Sequence, residues 1–335
     1  MRPAPARLCG HALRGSAIAE WAANYPHWRT RLGFTHATGP SQSTIQRLFL
    51  GLDVGVLAAC PHDRAVLPFE AMAIDGKTLC TSKQGGAHDA HLVSALSQRL
   101  GLVLAQVAVP DKTNEITAID DLLAQLVLTG WVVTTDALFT QREIATTMLA
   151  AAGDYLMEVK GNQPTLLEEI TVVCADPNLP VTQAQETRLH GSRIETRVLR
   201  ASTQLNGYTD WPGLAQALCV ERRVTHKATG ETRYEVAYAV TSLSPAQATP
   251  AQLLRLWREH WHIETRLHWV RDVTYDEDRS TVRAGTIPQA MAAIRNTAIG
   301  VMRVQGVTNI AAACRRFAAQ PALALAALGL ATNNE

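Results

Sequence analysis

The sequence contains no C-x-x-C pair. Its six cysteines, Cys9, Cys60, Cys80, Cys174, Cys219 and Cys314, are scattered along 335 residues, which argues against a zinc ribbon or a disulfide framework and for ordinary reduced thiols. No Gly-rich loop ending in Gly-Lys-Ser/Thr is present, so no nucleoside triphosphate is implied. Long hydrophobic runs are missing too. The most apolar late stretch, Ala318 to Ala331, is too short for a membrane span and carries Pro321, and no signal-peptide pattern is seen. Charge is sparse at 18% of residues and nearly balanced at +1, which gives no global argument for nucleic acid. With 47% apolar residues and ordinary Gly and Pro content, long disorder is excluded and a sizeable core is expected.

Against that plain background, two acids stand out. Ala71 to Thr78 reads Ala-Met-Ala-Ile-Asp-Gly-Lys-Thr, an apolar strand interrupted by Asp75 and then by Gly76. Trp131 to Phe139 is a β-branched run ending on Asp136. A buried carboxylate needs a cation, a metal or the end of a sheet. Strands that deliver acids from neighbouring ends build the crevice in which open α/β sheets place their chemistry.

From Phe69 onward, strands are predicted at Glu70 to Ile74, His91 to Ser97, Val103 to Val109, Trp131 to Thr135 and Tyr155 to Val159. Helices are predicted at Glu115 to Val127 and Gln141 to Ala152. That order fits a five-stranded mixed sheet, an antiparallel meander followed by two right-handed crossovers. If the first and fourth strands are adjacent, Asp75 and Asp136 become neighbours. Between Val181 and Leu243 short β-like runs, such as Ile194 to Arg200 and Tyr234 to Thr241, read as a β-rich insertion with eight Lys/Arg against six acids from Gln185 to Glu235.

Upstream, helices are expected at Ala17 to Asn24 and after Gly39-Pro40, as either a helix-turn-helix or a plain helical cap. Six arginines against one acid in the first fifty residues hint at nucleic acid or at solvated surface. Leu253 to Val273 is the longest helical pattern. Leu253, Leu256, Ile263, Leu267 and Val270 form its apolar stripe, with Trp257, His260, Glu264 and Arg271 on an adjacent face. Its tryptophans, Trp257, Trp261 and Trp269, suit base stacking or core packing. His260-x-His262 does not suit zinc, because residues two apart on a helix diverge.

With these acids located, the chain resembles the DDE-type transposases of bacterial insertion sequences, most closely the branch of H-repeat-associated proteins. The similar blocks are Ala-Ile-Asp-Gly-Lys at 73 to 77, Asp-Lys-Thr-Asn-Glu-Ile-Thr-Ala-Ile at 111 to 119 and Thr-Thr-Asp-Ala at 134 to 137. They continue with Lys-Gly-Asn-Gln at 160 to 163, Arg-Ile-Glu-Thr-Arg at 193 to 197, and His-Trp-His-Ile-Glu-Thr-Arg-Leu-His-Trp-Val-Arg-Asp-Val-Thr at 260 to 274. The resemblance implies an α/β, ribonuclease-H-like core with Asp75, Asp136 and Glu264 as catalytic and metal-binding triad. The separation of 128 positions from Asp136 to Glu264 is too long for the rest of such a core, so an insertion is required. The division expected is 1–68 helical, 69–180 catalytic core, 181–245 insertion and 246–335 core completion.

The implied chemistry is cleavage at element ends and 3′-hydroxyl strand transfer with Mg²⁺ or Mn²⁺. Two such ions about 3.5 to 4 Å apart suit entering and leaving oxygens. Double-stranded DNA is the implied partner, gripped by Lys77, Lys160, Arg193, Arg197, His260 and Arg271, with a homodimer pairing two ends and a bacterial cytoplasmic, nucleoid-associated setting. The broader group carries Tyr-x2-Arg-x3-Glu-x6-Lys on the late helix, where this chain has Trp257, His260, Glu264 and Arg271. Met1 to Ser16 is unlike the family's start. A stand-alone nuclease and a truncated, domesticated relative that only binds DNA are the alternatives.

Overall fold

The computed structural model describes residues 15–36, 38–54, 70–79, 91–109, 115–280 and 285–330. The arginine-rich start through Arg14 and the Asp-Lys-Thr-Asn portion of the 111 to 119 block lie outside the described residues. Strands β1 (Glu70–Thr78), β2 (His91–Ser97) and β3 (Val103–Val109) form an antiparallel meander. After α4 (Glu115–Leu123), β4 (Trp131–Thr135) pairs parallel with β1 on its other edge. Beyond α5 (Arg142–Ala150), β5 (Asp154–Val159) pairs parallel with β4. All five predicted strands are present.

The sheet has nine strands, not five. After α6 (Pro164–Ala175), β6 (Thr182–His190), β7 (Arg193–Ser202), β8 (Gln216–His226) and β9 (Thr232–Thr241) continue the same sheet in the order β3-β2-β1-β4-β5-β9-β8-β7-β6. The reason lies at β5. A core ending there would leave a row of unpaired backbone groups. Instead β9 runs antiparallel along it from Leu156 opposite Thr241 to Val159 opposite Tyr238. Thr241 Oγ1 donates to the Tyr155 carbonyl at 2.6 Å, and the Tyr155 N–H donates to Ser242 Oγ at 2.9 Å.

Strand alternation then divides the core. Met72, Ile74, Val133, Tyr155 and Met157 face one side, buried with Ile119 and Leu122 of α4, Ile144 and Met148 of α5, and Leu166 and Ile170 of α6. Ala71, Val132 and Leu156 face the other, buried with Leu253, Leu254 and Leu256 of α7 (Pro250–His260). Ala73 shares that side with Ile263, Leu267 and Val270 just beyond. Thr249 caps α7 through a reciprocal pair: Gln252 N–H donates to Thr249 Oγ1 at 3.4 Å and Thr249 N–H to Gln252 Oε1 at 2.8 Å, with Pro250 at the first helical position.

The expected continuous helix from Leu253 to Val273 is broken. The α-helix stops at His260, and Glu264–His268 and Val270–Thr274 are π-helical turns. Wider turns cost packing, and they recur at functional sites. At the start, α1 (Gly15–Asn24) packs on α3 (Gln42–Leu50), with α2 (Pro26–Arg31) between, and α3 touches α8 (Ile287–Val304). α9 (Ile310–Ala319) and α10 (Pro321–Ala327) close the chain. Among the described residues no helix is long and apolar enough to cross a membrane.

Candidate active site

The period of two along each strand aims both upstream acids. Asp75 has the parity of Ala71 and Ala73, and Asp136 that of Val132 and Thr134, so both belong to the face covered by α7 and the π-helical segment. Ile74 pairs with Thr135 in the parallel register, which makes the next residues, Asp75 and Asp136, neighbours at the same sheet end. Each acid is fixed by a backbone donor. Gly76 N–H donates to Asp75 Oδ1 at 2.8 Å, and Leu138 N–H to Asp136 Oδ1 at 3.2 Å, where Asp136 caps the 3₁₀ turn Ala137–Phe139.

The π-helical segment supplies the third acid and a residue the sequence reading passed over. His268 Nδ1 lies 3.5 Å from Asp75 Oδ2 and 3.6 Å from Glu264 Oε2. Donor atoms of Asp75, Glu264 and His268 all fall within 4.8 Å of one another. The signal available in the sequence was the four-residue step from Glu264 to His268, one turn along the same face.

The electrostatics record crowded negative charge. Burial, then Glu264, then Asp136 push the Asp75 carboxyl up to about 8. The His268 ring holds Glu264 below its ordinary value, while burial holds His268 itself below the usual histidine range. Lys77, whose charge reaches Glu264, is ion-paired to Asp272 at 2.7 Å. The site therefore suits a divalent cation. Carboxylate oxygens of Asp75 and Glu264 and a ring nitrogen of the buried His268 converge, and the carboxylates' repulsion shows in Asp75.

The remaining predicted residues are placed unevenly. His260 is buried, its Nδ1 at 3.0 Å from Thr134 Oγ1, and burial pushes it down to about 4. Arg271, expected on the Glu264 face, is fully buried. Its Nε donates to Glu277 Oε2 at 2.8 Å and its guanidinium reaches Gln106 Oε1 at 3.3 Å, while Arg295 holds the other Glu277 oxygen at 2.8 Å. Seven residues are two turns of an α-helix, but fewer than two of a wider π-helix, so Arg271 rotates off that face. As placed, neither His260 nor Arg271 is open to a ligand.

Lys160 follows β5 and pairs with Glu158 at 2.8 Å. Arg193 is exposed at the β6–β7 turn and Arg197 pairs with Glu195 at 2.9 Å. Both lie on β7, displaced from β4 by four strand spacings, about 19 Å, across the sheet and further along it, since Ser202 is the β7 residue level with Thr135. Between the two regions is a cleft of about 370 Å³ lined by Glu158, Arg197, Arg222, Trp257, Arg258 and Trp261. Trp261 and Trp269 are half exposed, and Trp257 is buried.

Residues 68–299 match the family described as Transposase DDE domain. The chain is 36% identical over 248 residues to Putative protein YbfL of Escherichia coli (strain K12), and 35% identical over 248 residues to the H repeat-associated putative transposase YhhI of the same organism. Both alignments take in 70% of this chain and 64% of the relative, so the chain spans under two thirds of the length of these relatives. A cryo-EM structure of a piggyBac transposase synaptic complex with hairpin DNA overlaps 92% of this chain and 61% of its own at TM-score 0.44 and 11% identity, a likeness too loose to bear on the site.

Proposed function

The chain belongs to the DDE-domain transposase family, and from that premise we propose that it cleaves DNA at insertion-sequence ends and joins the freed 3′-hydroxyl to target DNA. The reading is supported by Asp75 and Asp136 following paired residues at one sheet end, with Glu264 against Asp75. β1 to β5 correspond to a ribonuclease-H-like core, with 181 to 245 as an insertion that extends its sheet.

Asp75, Asp136 and Glu264 would hold Mg²⁺ or Mn²⁺, two ions by the needs of the reaction. When bound, these would neutralise charge developing at the phosphate and on the entering and leaving oxygens. The chain's own task is to position and to balance charge. Gly76 and Leu138 N–H groups fix the two aspartates, and the Arg271–Glu277–Arg295 cluster fixes the segment that carries Glu264. Asp75, protonated near neutrality without a cation, must release its proton when the site loads. Lys160 and Arg197 could exchange their carboxylate partners for phosphates, Arg193 is exposed at the β6–β7 turn, and exposed Trp261 offers a stacking face. Buried His260 and Arg271 are positioning groups in this reading. Lys77 neutralises Asp272 and keeps positive charge beside the acids. Two copies would pair two ends as a homodimer.

The test is an end-labelled duplex carrying the terminal repeat, incubated with Mg²⁺ or Mn²⁺ or with EDTA. Nicking that requires metal and falls at least a hundredfold in Glu264→Gln is expected, together with joining of the labelled 3′ end into a plasmid. A wild-type chain that binds the duplex without cutting it overturns the enzymatic reading, and cutting without joining leaves a nuclease.

A further inference from the structure

We propose that His268 is a nitrogen donor to the cation at this site, so that the ligand set is mixed oxygen and nitrogen rather than all-carboxylate. The proposal rests on the metal-dependent reading above and deepens it. The ring is only 5% exposed, beside the acids, and its Nδ1 faces Asp75 Oδ2 at 3.5 Å and Glu264 Oε2 at 3.6 Å. Those separations are long for hydrogen bonds. They are the separations of donors sharing one ion: with bonds of about 2.0 to 2.2 Å, two ligands stand about 3 to 3.6 Å apart between octahedral and tetrahedral angles.

One further observation points the same way. The π turn that begins at Glu264 ends at His268, so the backbone departure from α geometry spans these two side chains.

A nitrogen ligand has a consequence that carboxylates alone lack. Magnesium takes oxygen ligands and gains little from imidazole, whereas a transition-metal ion accepts it. The experiment uses the full chain with Mn²⁺ alone as probe. Pulsed electron paramagnetic resonance of bound Mn²⁺ should show ¹⁴N modulation that changes to the ¹⁵N pattern when histidine is ¹⁵N-labelled and disappears in His268→Gln. The Mn²⁺ dissociation constant should rise at least tenfold in that variant while the Mg²⁺ constant changes less than threefold. The labelling arm needs no substitution and stands if His268→Gln fails to fold. Mn²⁺ bound without nitrogen modulation, or modulation that survives in folded His268→Gln, overturns the His268 assignment and leaves the carboxylate site standing. No Mn²⁺ binding overturns both.

Discussion

Changing Glu277 to Gln should unfold the segment that carries Glu264 before it affects anything else. The Glu277 carboxylate is 2% exposed and lies between Arg271, fully buried, and Arg295, 3% exposed, at 2.8 Å from each. Gln keeps the shape and loses the charge, leaving two guanidiniums facing each other out of water. Breaking a buried pair in this way costs about 3 to 5 kcal/mol. At about 2 to 4 °C per kcal/mol, a drop in Tm of about 6 to 20 °C is expected by calorimetry or near-ultraviolet circular dichroism. The pH dependence carries a sign. Burial works against the charged form, but Arg271 and Arg295 hold the Glu277 carboxyl below its ordinary value. Its contribution is therefore present above the ordinary glutamate range and lost as pH falls through the depressed value. The variant should show a flatter acid limb than wild type. The triple change Arg271→Met, Glu277→Leu, Arg295→Met should recover most of the loss, because apolar replacement of a buried ion cluster is often neutral. A Glu277→Gln chain melting within about 1 °C of wild type would refute the reasoning.

At pH 7, loading the site with Mg²⁺ or Mn²⁺ should release close to one proton, since Asp75 sits at about 8 without a cation, and the release should vanish above about pH 9; titration calorimetry in buffers of different ionisation enthalpy reads this directly. By the same shift, the metal-free chain is stabilised at low pH and loses that contribution as pH rises toward 8, an effect removed by Asp75→Asn. Arg193→Ala should weaken binding to any duplex sequence and lower the slope of log affinity against log salt by about one, as measured by fluorescence anisotropy; an unchanged slope removes Arg193 from the interface. Trp257→Ala should cost about 3 to 5 kcal/mol of stability, whereas Trp261→Ala, half exposed, should leave stability within about 0.5 kcal/mol and weaken binding to frayed duplex ends by about 1 to 3 kcal/mol.

Much of the half-sheet that carries the acids was legible because its strands are largely buried and announce themselves as short apolar runs. His91–Ser97, Val103–Val109 and Trp131–Thr135 coincide with their predicted bounds. β6 escaped notice for the opposite reason. Thr182–His190 is exposed or half exposed throughout, so no apolar period marks it, and its place in the sheet is decided by pairing with β7. At the site, the two aspartates could be read from strand ends, but the surroundings of Glu264 could not. An α-helical wheel puts Arg271 beside Glu264, and two π turns, which leave no trace in hydrophobic period, turn it inward. Lys77 illustrates the other limit: its partner Asp272 is 195 residues away, beyond any local pattern.

The joining of β9 to β5 makes the whole sheet a ruler. β7, β8 and β9 are 10, 11 and 10 residues long, each about 35 Å, and they reach the acidic end through unbroken backbone ladders rather than through a linker. An arm built this way has no joint at which to swing. Arg193 and Arg197 are thus indexed to Asp136 across four strand spacings, about 19 Å, and to Asp75 across five, about 24 Å, with a further fixed offset along β7. The point of cutting would then be measured out by sheet geometry, counted from where the duplex is gripped.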